Sequence, residues 1–292
     1  MTTLEHLSGY IDEQVLRRKP GIKQVALYLG LAVLLAAATL VAVHATDSSA
    51  RSLSPRAGKG GVAPASAGCA VTFTNPGPPA LTACVSGHGN VNDIVYSSFG
   101  TPVDHVNAEG YCLLNGDTST TYWDAAQYGE AGWGVATQSS TATTTSVKRT
   151  TTDGVFTLTQ NIFFKYGSRL VLVGNLVKNN DTVAHTVVFT RSFDGDIEGD
   201  PSDDVYDSAG SSVWGKDVDA LALTTLGDPS LNAGIGPSKF SDWFSTGSGA
   251  GSCFNTFQGT PTAPGDYVGV AQHIASIPAG ATVNFRVGYR LL

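Results

Sequence analysis

The chain has 292 residues, 42% of them apolar, with a formal net charge of −7, which is enough to bury one large core. From Cys69 onward 20 acids stand against 10 Lys and Arg, a balance that argues against nucleic acid as a partner, since phosphates need clustered cations. Thirty-four glycines, one Met and 14% charged residues, with abundant Thr, Val and Ser, argue for strands and turns over helices.

Residues 1–24 read as a cytoplasmic segment. Leu4, Leu7 and Ile11 recur at roughly helical spacing, and Arg17, Arg18, Lys19 and Lys23 lead into the uncharged run Val25–Val43. As a helix that run spans about 28 Å, close to the hydrocarbon thickness of a bilayer. The cations before it stay in the cytoplasm, so the remainder is exported. The stretch 25–44 is therefore a transmembrane anchor or signal helix, with the membrane as partner through 25–43. Retention gives an inner-membrane single-pass protein with a periplasmic or extracellular domain. Cleavage after Ala45, at the small residues of Val43-His44-Ala45, gives a secreted one. Residues 45–68, rich in Ser, Ala, Gly and Pro, read as a flexible linker, and 69–292 as the exported domain.

All four cysteines, Cys69, Cys84, Cys112 and Cys253, lie on the exported side, where two disulfides are expected. Of the three possible pairings the favoured one joins Cys69 to Cys84, over Pro76-Gly77-Pro78-Pro79, and Cys112 to Cys253. The spacings fit no zinc module.

Strands are expected at 71–74, 80–85, 94–97, 111–114, 134–138, 146–150, 155–164, 170–178, 183–193, 220–225, 267–277 and 282–292. In the ninth, Val183, His185, Val187, Phe189, Arg191 and Phe193 share one face. In the last, Val283, Phe285, Val287, Tyr289 and Leu291 alternate with Thr282, Asn284, Arg286, Gly288 and Arg290. The turn Pro278-Ala279-Gly280 makes 267–292 read as a closing hairpin. Many punctuated strands without an amphipathic helix or a repeat indicate an all-β, antiparallel β-sandwich, large enough to be supersandwich-like.

Chemistry concentrates after Phe193, where Asp194, Asp196, Glu198, Asp200, Asp203, Asp204 and Asp207 fall within fourteen residues. Alternate acids with Gly199 at the sixth position resemble the first half of a calcium loop. Asp194, Asp196, Glu198, Asp200 and Asp204 are thus candidate Ca²⁺ ligands. The twelfth position is Val205, so the bidentate Glu of an EF-hand is missing. The competing reading is a solvated acidic loop with Asp194 paired to Arg191.

The pattern Arg191-x-x-Asp194-x-Asp196-Ile197, entered from a strand, an Asn-rich turn and a strand, resembles a group of secreted bacterial β-sandwich proteins of uncharacterised function. Some of that group carry a C-terminal sorting segment with a Pro-Glu-Pro signature, which Tyr289-Arg290-Leu291-Leu292 does not show. The resemblance implies fold and export, and no reaction.

Enzyme signatures are sparse. His88, His105, His185 and His273 show no His-x-x-x-His spacing, and no nucleophile elbow, phosphate loop or dinucleotide fingerprint occurs. Gly247–Gly251 reads as a surface loop, and His185 as a buried, hydrogen-bonded histidine. Trp123, Trp133, Trp214 and Trp243 are candidate ligand-stacking residues, with core filling as the alternative for Trp123 and Trp133. The reading is an exported β-sandwich binding or cell-surface module with a possible calcium site, and a glycan or surface protein as partner. The alternative is a carbohydrate-active enzyme using carboxylates of the 194–207 loop.

Overall fold

The computed structural model describes residues 68–75, 81–96, 103–195, 205–216, 220–239 and 267–292. The anchor and linker segments, Cys253, Trp243, Asp196, Glu198, Asp200 and Asp204 lie outside the described residues, among which no helix is long and apolar enough to cross a membrane.

Strands follow in the order β1 Val71–Asn75, β2 Leu81–Val85, β3 Val91–Tyr96, β4 Val103–Asp104, β5 Ala108–Asn115, β6 Thr120–Ala125, β7 Gly129–Ala131, β8 Thr137–Ser140 and β9 Thr144–Thr150. They continue as β10 Phe156–Phe164, β11 Leu170–Asn179, β12 His185–Asp194, β13 Val205–Ala209, β14 Ser212–Lys216, β15 Ala220–Leu226, β16 Asn232–Lys239, β17 Tyr267–Ile277 and β18 Thr282–Leu291. They form three antiparallel sheets, ordered β1-β2-β3-β4, β16-β17-β12-β5-β6-β7 and β13-β14-β15-β18-β11-β10-β9-β8. The all-β sandwich expected from the periodicity is the observed architecture.

The six- and eight-stranded sheets pack face to face. Phe189 of β12 stacks on Phe285 of β18 at 5.6 Å between ring centroids, and Tyr122 of β6 meets Phe156 of β10 edge-on at 6.0 Å. These rings are buried, and each fully buried large apolar side chain contributes about 1.5–3 kcal/mol. The predicted face of β12 is the core face, except that Val183 lies before the strand and is exposed.

Two connections differ from the sequence reading. β17 and β18 do not form a hairpin: β17 pairs with β12 and β16, whereas β18 pairs with β11 and β15. The segment 278–281 is an arch that carries the chain from one sheet to the other. The Asn-rich turn between β11 and β12 does the same. Period-2 alternation says which face is buried but not which strand supplies the hydrogen bonds. Asn179 ties the two arches together, its Nδ2 donating to Ile277 O at 2.9 Å and Val183 O at 2.7 Å. Its backbone N–H reaches Ala281 O at 3.0 Å.

His185 closes the β11–β12 arch. Its ring is buried, with Nδ1 3.0 Å from Asp117 Oδ2 and Nε2 3.0 Å from Asp181 Oδ2. Burial of the ring pulls its pKa down, but the two carboxylates outweigh this and hold it above the ordinary histidine value. Asp181 is correspondingly held low by His185. A raised histidine pKa stabilises the fold below the unfolded value of about 6.5 and ceases to do so as pH rises through the folded pKa. The lowered Asp181 contribution is lost at the acid end. His185→Gln should therefore destabilise most near pH 5.5 and least near pH 8.5 when urea midpoints are compared. An equal loss at both pH values would contradict the clasp.

The disulfide Cys69–Cys84 forms as expected, with Cα atoms 5.4 Å apart. Cys112 is disulfide-bonded too. The β8 strand begins at Thr137 rather than Gly134, which instead donates its N–H to Thr150 O at 2.8 Å.

Candidate functional site

The polar chemistry of the described residues gathers where the β7 edge of the six-stranded sheet meets the β8 edge of the eight-stranded sheet. The β2–β3 turn, Ser86–Asn90, is plugged between them. Ser86 Oγ accepts the N–H groups of His88 at 3.2 Å and Asn90 at 3.1 Å, which holds the turn closed. Gly89 has φ of 88°, a conformation open chiefly to glycine. It also presents its carbonyl to the interior.

Beneath the turn lies a fully buried ion pair. Arg191 Nε donates to Glu109 Oε1 at 2.5 Å and Nη2 to Oε2 at 3.1 Å. Nη1 donates to Asn175 Oδ1 at 3.0 Å and Nη2 also to Gly89 O at 2.8 Å, while the Nε–H is shared with Tyr289 OH at 3.1 Å. Glu109 accepts further bonds from Tyr289 OH at 2.5 Å and Val91 N at 2.9 Å. Burial pushes the Glu109 carboxyl up and Arg191 pulls it back. Four donors converging on two oxygens is the pattern of an ionised carboxylate, and we describe the pair as charged. Burial opposes the charge on Arg191, but adjacent Glu109 keeps its pKa above the ordinary arginine value. Arg191 is thus paired with Glu109 and not with Asp194, as the solvated-loop reading had it. Glu109 is reached because β12 and β5 pair with Arg191 opposite Tyr111, leaving Glu109 as the diagonal neighbour. Asp194 is itself buried and accepts from Asn107 Nδ2 at 2.8 Å.

A second ionic group lies nearer the surface. Asp124 of β6 has no exposed surface and holds three donors: Arg149 Nη1 at 2.6 Å, His88 Nδ1 at 2.9 Å and Asn90 Nδ2 at 2.5 Å. Arg149 of β9 also binds Glu130 of β7, and its Nη1 reaches Tyr111 OH at 3.2 Å. The Tyr111 hydroxyl donates to His88 O at 3.1 Å. With its amide oriented to satisfy both neighbours, Gln160 donates to that same carbonyl at 2.9 Å and accepts from Arg191 Nη1 at 3.0 Å. One hydrogen-bonded chain therefore runs from the core pair to the surface, where it ends at Glu130, 35% exposed, and His88, 18% exposed. Burial raises the Glu130 carboxyl, opposed by its bond to Arg149 and reinforced by Asp124.

His88, Asp124 and Glu130 bring potential metal-ligating atoms within 4.8 Å of one another. A histidine and two carboxylates suit a divalent transition metal. Arg149, however, already occupies the cation position between both carboxylates, so a metal there would meet a buried guanidinium in contact with its own ligands. The donor set fits an arginine-centred ion cluster better than a metal centre.

Beside this corner is a shallow depression of about 270 Å³ lined by Gly134, Val135, Thr137, Lys148, Arg149 and Thr150. Among the tryptophan candidates, Trp133 fills the core below it, edge-on to Tyr111 at 5.8 Å and with Arg149 Cζ 5.8 Å from its ring. Trp123 is half-buried over Gly129 and packs with Cys112 and Leu114. Trp214 lies on a different sheet, on β14. The tryptophans of the described residues do not converge on one site.

Glu109, Asp124, Glu130 and Arg149 were not singled out by sequence reasoning. The available signal was a lone charge inside an apolar strand, as in Ala108-Glu109-Gly110-Tyr111, since such a charge needs a buried partner.

No family model and no curated protein matches the chain. Among solved structures, a bacterial glucoamylase complexed with acarbose aligns with TM-score 0.55 at 11% identity, over 77% of this chain and 32% of that one. The chain thus spans about a third of that protein, and the likeness is one of fold. A putative aldose 1-epimerase of Escherichia coli K12 aligns at TM-score 0.41 and 11% identity, over 76% of this chain and 99% of that one. A galactose mutarotase-like protein of Lactobacillus casei gives 0.40 and 12%, over 76% and 100%.

Proposed function

We propose that the chain is a glycan-binding β-sandwich module, exported and held at the membrane through residues 25–43. The observation that carries this reading is the buried ion chain that, among the described residues, surfaces at Glu130 and His88, beside the open depression between Gly134 and Thr150. A carboxylate about a third exposed and an imidazole less so, locked from behind by Arg149 and Asp124, form a rigid acceptor–donor pair of the kind that orients a sugar hydroxyl. The fold shared with a glucoamylase that holds acarbose supports the same ligand class. At this corner binding is favoured over hydrolysis, because a glycosidase needs two carboxylates that reach the substrate and Asp124, the carboxylate beside Glu130 among the described residues, is fully enclosed.

Titration calorimetry of the full-length chain in detergent, against dextran and polygalacturonate, tests the reading. Glu130→Gln should weaken binding by about tenfold or more, because a bond to a charged acceptor contributes about 1.5–3 kcal/mol. Unchanged affinity in that variant would remove the corner from the site. Appearance of new reducing ends during the titration would favour the enzymatic alternative. The export proposal rests on the Arg17–Lys23 cluster and the apolar run after it, and protease accessibility of the domain in intact spheroplasts checks it.

A further inference from the structure

We infer that the outward face of the eight-stranded sheet is a recognition surface for an acidic polysaccharide. This deepens the glycan reading of the neighbouring corner and rests on it, since Lys148, Thr137 and Thr150 belong to both. Strand registers place the outward residues in continuous rows. One row runs Ser139, Ser146, Asn161, Gly174, Arg286 and Leu226, and the next Thr137, Lys148, Thr159, Leu176 and Asn284. A third joins Thr144, Phe163, Leu172, Gly288 and Thr224, and a fourth contains Leu170, Arg290, Ala222, Trp214 and Asp207.

Three properties of this face single it out. First, it carries cations on an acidic chain: Lys148, Lys178, Arg286 and Arg290 all point outward and are exposed. The carboxylate among the described strand residues of the face is Asp207. Second, none of the four cations is ion-paired among the described residues, whereas both inward arginines, Arg149 and Arg191, are. Unpaired cations gathered on one rigid surface set up a field that attracts anions. Third, among the described residues the space between them holds no further cation or acid: around Lys148 it is filled by hydroxyl and amide groups and by Phe163, 46% exposed, and around Arg286 and Arg290 by Leu170, Leu172 and Leu226. A groove of about 160 Å³ runs past Ser139, Thr144, Ser146, Asn161 and Phe163. Arg286 is partly positioned: its guanidinium lies over Gly227, where a Cβ would come within 3.0 Å of Nε.

The spacing of the cations selects the polymer. Arg286 and Arg290 stand about 14 Å apart along β18, at about 3.4 Å per residue. A duplex presents one phosphate per about 1.7 Å and calls for denser cations than this. A polysaccharide with a carboxylate or sulfate on each sugar offers sparser charge, matching cations that are separated by uncharged residues such as Gly288, Leu172 and Thr224.

The test compares affinities of the full-length chain in detergent for polygalacturonate, dextran and double-stranded DNA, at low and at high salt. Polygalacturonate is expected to bind about tenfold more tightly than dextran, an advantage that disappears in high salt, as screening requires. The triple variant Lys178→Gln, Arg286→Gln, Arg290→Gln should lose that advantage while keeping its dextran affinity and its melting temperature. Lys148→Gln alone supplies a second readout, with a partial loss. Equal binding of dextran and polygalacturonate, unaffected by the triple variant, would overturn the inference and leave the glycan reading standing. Binding of neither would overturn both. DNA bound as tightly as polygalacturonate would make the face a general polyanion surface and overturn the assignment to polysaccharide.

Discussion

Replacing Arg191 by Met should destabilise the domain by about 3–5 kcal/mol, the range found when one partner of a buried ion pair is removed. Total stabilities are about 5–15 kcal/mol, so the variant stands at the edge of folding. The cause is what remains behind. Glu109, with no exposed surface, would be left without its cation and would have to stay unpaired or take up a proton, and Gly89 O and Asn175 Oδ1 would lose the donors that now satisfy them. The double variant Arg191→Met with Glu109→Leu should recover much of the loss, because it removes the stranded carboxylate along with its partner. Urea unfolding of the two variants and the wild type checks this. A single variant within about 0.5 kcal/mol of wild type, the scatter of an ordinary surface substitution, would show that the pair does not organise the core.

Gly89→Ala is the second large effect. At φ of 88° a side chain costs about 1–3 kcal/mol in backbone strain. The new Cβ would also lie 2.8 Å from Gln160 Cδ. Gln160 is buried and bonded on both sides, so it cannot swing away without breaking its contacts to His88 O and Arg191. Overpacking of this kind adds about 1–3 kcal/mol. Because the turn carries His88 to the surface, the same variant should also weaken glycan binding beyond its effect on stability. Calorimetry at a temperature where the variant remains folded separates the two. Full retention of both stability and affinity would contradict the role of the turn as the link between core and corner.

The core was largely legible in the sequence, and its reason is local. Alternation in Val187, Phe189, Arg191 and Phe193, and in Phe285, Val287, Tyr289 and Leu291, follows from the pleat alone. The partners of those strands were not legible. Pro278-Ala279-Gly280 has the chemistry of a tight turn whether the chain folds back in one sheet or crosses to the other. The bond from Asn179 that fixes the crossing reaches Ile277, 98 residues away. β7, three residues long, and β16, Asn-Ala-Gly-Ile-Gly-Pro-Ser-Lys with a single large apolar side chain, lack any period to read. β7 exists because Gly129, with φ of 115°, reverses the chain beside β6.

The candidate site was hidden for a related reason. Arg191 and Glu109 lie 82 residues apart and Asp124 and Arg149 25 apart, and they meet only through pairing of β12 with β5 and the closure of β6 and β9 over the β2–β3 turn. Sequence reading went instead to the densest acids, 194–207. Charge density marks a solvated segment as readily as a site. An isolated charge in an apolar strand carries more information, because burying it alone is so costly. Glu109 and Arg191 both had that property.

Hydrogen–deuterium exchange of the full-length chain, with and without whichever of dextran and polygalacturonate binds more tightly, tests glycan recognition at this corner most directly. The expected result is slowed exchange from Gly129 to Ser146, covering β7, the depression and edge strand β8. Slowing confined to the β16–β17 side of the six-stranded sheet, or none in the 129–146 segment at saturating ligand, would contradict it.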